Sequence, residues 1–134
     1  MENEKWIDRY GPILGLINIG LALMAAHFAV IVFRGGSPIT PEIYGPAVHS
    51  LPAIAWALVQ MLGHGLAAIG SLTRRPILLV LGGVISICVH ASFSALAGMA
   101  EQGTLLQAGA LYVTLPLSIA SFLAGVGALK NVWR

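Results

Sequence analysis

Three of the four histidines, His27, His64 and His90, stand deep inside long apolar runs. Gln60 comes one helical turn before His64, and Ser86 one turn before His90. An imidazole can ligate a metal, pass a proton or hydrogen-bond as a neutral ring, and its neighbours decide which. In hydrocarbon an ionisable side chain is expensive, so it marks either a functional seam or a satisfied interior contact. Around these residues the second run carries Ala53, Ala57, Gln60, His64, Ala67 and Ser71 at three- and four-residue spacing. The third carries Leu79, Gly83, Ser86, His90, Ser94 and Ala97, with Phe93 beside them. Small and polar residues in such a stripe let helices approach closely and bond across the gap.

The elements that must position these groups are four apolar stretches, at about 11–33, 51–72, 76–98 and 105–129. Each is near the ~20 residues that a helix needs to cross a bilayer core. None contains Asp, Glu, Lys or Arg. Charged residues make up 9% of the chain and hydrophobic ones 57%, whereas a soluble domain carries about a quarter charged residues. A compact water-soluble fold is thereby excluded. The expected fold is all-α: a single membrane domain over residues 1–134, built as a four-helix bundle. The polar break at 34–50 is too short to fold alone, and its glycines and prolines break helix.

Charge sets the orientation. Lys5, Arg9, Arg74, Arg75, Lys130 and Arg134 all fall on the side that holds both termini, and Arg34 alone falls on the other. That asymmetry in short segments predicts cytoplasmic termini in an inner membrane, with 34–50 outside. Trp6, Tyr10 and Trp133 suit the headgroup layer on the same side. The net charge of +2 is therefore a topology signal, and no nucleic-acid partner is implied. The first span is too long for a signal-peptide core and reads as a retained helix. Cys88, the single cysteine, can form no disulfide within one chain.

The tight connection Thr73-Arg74-Arg75-Pro76 predicts an antiparallel hairpin of spans two and three, with Pro76 at the first helical position. In such a hairpin the numbers of facing residues add to about 150, setting Gln60 against His90, His64 against Ser86, Ala67 against Gly83 and Ala53 against Ala97. Pro116 predicts a bend near Thr114–Ser118. The first span shows a small-residue face with Asn18 on it, and His27 lies on nearly the opposite side. The fourth shows Thr114, Ser118, Ser121 and Gly125 on one face. These five residues, Asn18 included, are expected to form a helix-packing face, with the fourth-span stripe a candidate contact between protomers.

A b-type haem would need two histidines at like depth on facing helices. Counted from the cytoplasmic ends, His27 and His90 differ by only ~3 Å in depth, while His64 lies ~9 Å from His90. Met24 and Met61 each precede a histidine by three residues, a pattern open to copper, although methionine in an apolar helix is usually filler. Glu42 and His49 offer only two ligands in a proline-rich loop. The expectation is no metal and no cofactor, with haem b on His27 and His90 as the alternative. All five acidic residues, Glu2, Glu4, Asp8, Glu42 and Glu101, lie outside the spans. The intramembrane carboxylate usual in proton-coupled exporters is thus missing, and no catalytic constellation is present.

The expected function is non-catalytic: a small membrane protein acting by helix association with lipid around it, as a homo-oligomer or with other membrane subunits. The size and span count are compatible with the phage holins, on composition alone. The alternative class is the haem-binding anchor, or a proton or ion pathway along Gln60, His64, Ser86 and His90.

Overall fold

The computed structural model describes residues 2–35, 51–97 and 110–132, and all secondary structure among them is helical. Helix α1 runs Glu2–Phe33, α2 Ala53–Leu72 and α3 Pro76–Ala97. A π-helical turn, Ala110–Thr114, leads into α4, Leu115–Val132. All four helices are long and apolar enough to cross a membrane, over Arg9–Phe33, Ala53–Leu72, Pro76–Leu96 and Tyr112–Lys130.

Local chemistry explains most boundaries. Helix α1 starts ahead of its apolar run and continues through Pro12. The hydrogen bond that Pro12 cannot donate belongs to the polar first turns, where water can serve the orphaned carbonyl. It stops at Arg34 and Gly35, and Gly35 takes φ 81, a left-handed conformation suited to glycine. Between α2 and α3 the connection is short: Arg75 N–H bonds the Gly70 carbonyl at 2.8 Å, and Arg74 adopts φ 56. Pro76 occupies the first position of α3, as its missing N–H predicts. The expected distortion near Pro116 falls on its N-terminal side. Pro116 cannot bond the carbonyl of Tyr112, and the π-helical turn at Ala110–Thr114 takes up the mismatch. Residues 36–50 and 98–109, with Glu42, His49, Glu101 and Gln107, lie outside the described residues.

Hydrophobic burial does not hold helices together in lipid, so close approach at small residues must do so. Glycines mark each approach. A Cβ placed on Gly15 of α1 would lie 2.8 Å from the Leu72 side chain of α2. On Gly70 it would lie 2.5 Å from the Leu79 nitrogen of α3, and on Gly63 2.5 Å from Ser86 Oγ. On Gly82 it would run into the backbone nitrogen of Ala67. On α3 and α4, Gly83 lies against the Phe122 backbone and Gly125 against Val80 and the Pro76 carbonyl. Ser71 Oγ ties α2 to the Gly11 carbonyl of α1.

Two expectations are corrected here. Ala67 meets Gly82, whereas Gly83 turns to α4 and meets Phe122. Adjacent residues on a helix point about 100° apart, so this glycine pair lets α3 seat two neighbours at one level. Second, Asn18, Ser118, Ser121 and Gly125 are buried within the chain, and Thr114 is half-buried. Their stripe packs the bundle's own interior and does not lie open to a partner. The surface left outside is mainly apolar, with Ile13, Leu16, Leu23, Leu62, Ile77 and Leu123 all more than half exposed, as suits lipid.

Candidate functional site

The inward faces bring one polar side chain from each helix to the same level. Asn18 of α1 and His64 of α2 are each 1% exposed, Ser121 of α4 is 0% and His90 of α3 is 5%. They form a continuous run of hydrogen bonds. Ser121 Oγ donates to the Leu117 carbonyl at 3.0 Å, and Asn18 Nδ2 donates to Ser121 Oγ at 3.0 Å. His64 Nδ1 meets Asn18 Oδ1 at 2.9 Å. His64 Nε2 meets His90 Nε2 at 2.9 Å, with the rings inclined at 42°.

The direction of this run can be worked out from one fixed point. Asn18 also approaches the Leu14 carbonyl at 2.9 Å. A carbonyl only accepts, so the Asn18 atom facing it is the amide nitrogen. The amide spends its two hydrogens on Leu14 and Ser121, leaving its oxygen to accept from His64 Nδ1. For the neutral pair of imidazoles, His64 Nε2 is then bare and receives the N–H of His90 Nε2. Every bond points from α3 towards α4. His90 Nδ1 is left as a lone-pair acceptor, and among the described residues it has no hydrogen-bond partner.

Beside the histidine pair lies a half-open pocket of about 270 Å³. It sits between the C-terminal parts of α1 and α3 and the N-terminal part of α2, with Thr114 ahead of α4. Gln60, His64 and His90 line it together with Phe28, Trp56 and Phe93. Trp56 and Phe93 meet edge to face at 5.7 Å between ring centres, which fixes one wall.

The predicted seam is partly reordered. Gln60 and His90 border the same pocket, but no hydrogen bond joins them among the described residues. Ser86 packs on Gly63, and its buried hydroxyl has no partner among the described residues; His64 reaches past it to His90. His27 is exposed on α1, outside the pocket, so the structure does not bring it to His90. The Nε2–Nε2 distance of 2.9 Å is a hydrogen-bond length. Two nitrogens on opposite sides of a metal, each ~2.0–2.1 Å from it, would stand ~4 Å apart. No group of three or more His, Cys, Asp or Glu suited to a metal occurs among the described residues.

The links from His64 to Asn18 and from Asn18 to Ser121 escaped the sequence reasoning, although a signal existed. Asn18 is the one asparagine within the four apolar stretches. It lies seven residues in from Gly11, and His64 lies eight in from Leu72, so equal depth already paired them. No protein-family model, curated protein or solved structure matches the chain.

Proposed function

We propose that this chain is a non-catalytic inner-membrane protein that works by helix association, with both termini in the cytoplasm and α2 and α3 as an antiparallel hairpin. The observation that carries this reading is the division of the surface. Asn18, His64, His90 and Ser121, one from each helix, bond one another inside. The outer faces offer lipid or a neighbouring helix mainly apolar side chains, with His27 of α1 and Ser92 of α3 among the polar exceptions. The order of approaches, Gly70 on Leu79, then Gly82 on Ala67, then Gly63 on Ser86, supports the hairpin. The side bearing Arg74 and Arg75 supports the orientation. A bundle of this kind acts by assembling with copies of itself or with a larger membrane complex, and holin-like permeabilisation is the version that can be tested in cells. Induced expression should depolarise the membrane abruptly after a delay, and cross-linking should trap oligomers just before. Harmless accumulation of monomer would reject it.

The direct bond between His64 and His90 favours a second reading, proton passage through the seam. An Asn18 amide next in line cannot relay a proton as an imidazole can, and Gln60 carries the same amide group, so such a path must leave through water in the pocket that Gln60 and His90 line. Proton flux into liposomes that is unchanged in His64→Ala and His90→Ala would reject this path. A haem on His27 and His90 would require His90 to release His64 and α1 to turn its exposed face inward.

A further inference from the structure

The pocket beside the histidine pair has the size and walls of a ligand site, with the Gln60 amide and the His90 ring among its polar groups. Its volume of about 270 Å³ exceeds the ~150 Å³ of an apolar cavity known to take benzene, so a substituted or two-ring aromatic fits. Phe28, Trp56 and Phe93 supply aromatic surface, and the Trp56–Phe93 edge-to-face pair holds two of these rings in place. Such walls favour a flat apolar ring.

Orientation comes from the fixed hydrogen-bond run. The Leu14 carbonyl sets the Asn18 amide, Asn18 sets the His64 tautomer, and His64 takes the His90 Nε2 hydrogen. The remaining ring nitrogen of His90, Nδ1, offers a lone pair and no hydrogen. Reversing it would turn a bare His64 Nδ1 onto the bare Asn18 oxygen, two acceptors 2.9 Å apart. The site therefore calls for a ligand that donates.

We infer that this pocket binds a phenol: a planar aromatic ring whose hydroxyl donates to His90 Nδ1 while the ring lies among Phe28, Trp56 and Phe93. A free phenol and the head of a hydroquinone lipid share this chemistry. The matching quinone carries only acceptors; it could take a hydrogen from the Gln60 amide but would set a carbonyl against the lone pair at His90 Nδ1. The site stands whether or not the chain self-associates.

The test uses the full chain in lipid nanodiscs, with binding followed by calorimetry. The probes are phenol, its methyl ether, and a long-tailed hydroquinone with its quinone. Saturable binding of phenol about tenfold or more tighter than the ether is expected, because the ether covers the His90 Nδ1 acceptor and leaves it unpaired. Hydroquinone should exceed quinone in the same sense. Binding of the long-tailed compound alone would name the bilayer as the source, and equal binding of free phenol would name the aqueous phase; both support the site. In His90→Leu the preference for phenol over ether should vanish while ring binding persists. Ala57→Leu, which narrows the pocket, should weaken every probe. Wild-type protein that prefers neither phenol over its ether nor hydroquinone over quinone, or that binds none of the four saturably, overturns the inference without recourse to either variant.

Discussion

Replacing Asn18 by leucine, which is similar in size, should reveal how far one amide holds four helices together. The change removes two interhelical bonds, to Ser121 at 3.0 Å and His64 at 2.9 Å. Bonds of this kind inside membranes average about 0.6 kcal/mol, so their direct loss is about 1.2 kcal/mol. The larger effect is indirect: the His64 Nδ1 hydrogen is stranded in a site 1% exposed. An unpaired buried donor costs about 1–3 kcal/mol. Together these give a loss of about 2–4 kcal/mol. His64→Leu removes the stranded donor, so adding Asn18→Leu to that background should cost only what the Ser121 bond supplied. A double-mutant cycle read by steric trapping in bicelles should thus show coupling of about 1 kcal/mol or more between the two sites. Residues that do not interact add to within about 0.3–0.5 kcal/mol. Additive losses for Asn18 and His64, or an Asn18→Leu variant as stable as the wild type, would refute the reasoning.

Two further predictions concern the backbone. Gly82→Ala places a methyl against the Ala67 backbone, which has no side chain to swing aside, whereas at Gly20 nothing lies within 4 Å. Unfolding in detergent mixtures should find Gly82→Ala destabilised by about 1–3 kcal/mol, and Gly20→Ala stabilised by about 0.5–1 kcal/mol. Arg74 holds φ 56 in the α2–α3 turn, a left-handed conformation that costs a non-glycine residue about 1–2 kcal/mol. Arg74→Gly should recover part of that, and the same assay would show no gain if the turn were relaxed.

Fold class was legible because membrane solvation imposes so simple a rule: a segment of about 20 apolar residues without charge is a spanning helix. The ends of α2 and α3 at Leu72 and Pro76 followed from proline's missing donor and the basic pair before it. Register was harder. Facing numbers fell one short of the expected sum, since Gly82 and not Gly83 meets Ala67, and a single step on a helix redirects a side chain by about 100°. That step handed Gly83 to α4. The site was half legible: His64, His90, Asn18 and Ser121 were each singled out, but as separate pairs and faces. Pairwise reasoning on one hairpin could not see that α1 and α4 insert Asn18 and Ser121 at the same level. His27 shows the converse hazard, because depth alone matched it to His90 while the helix turned it outwards.

The bond between the two buried imidazoles joins the inner faces of α2 and α3, and it has a direction. Nitrogen-15 solid-state NMR of histidine-labelled protein in bilayers reads both at once. It should show hydrogen on Nδ1 of His64 and on Nε2 of His90, with a measurable coupling between the two Nε2 atoms across an N–H···N bond of 2.9 Å. Two histidines carrying hydrogen on Nε2 alike, with no coupling between them, would contradict it.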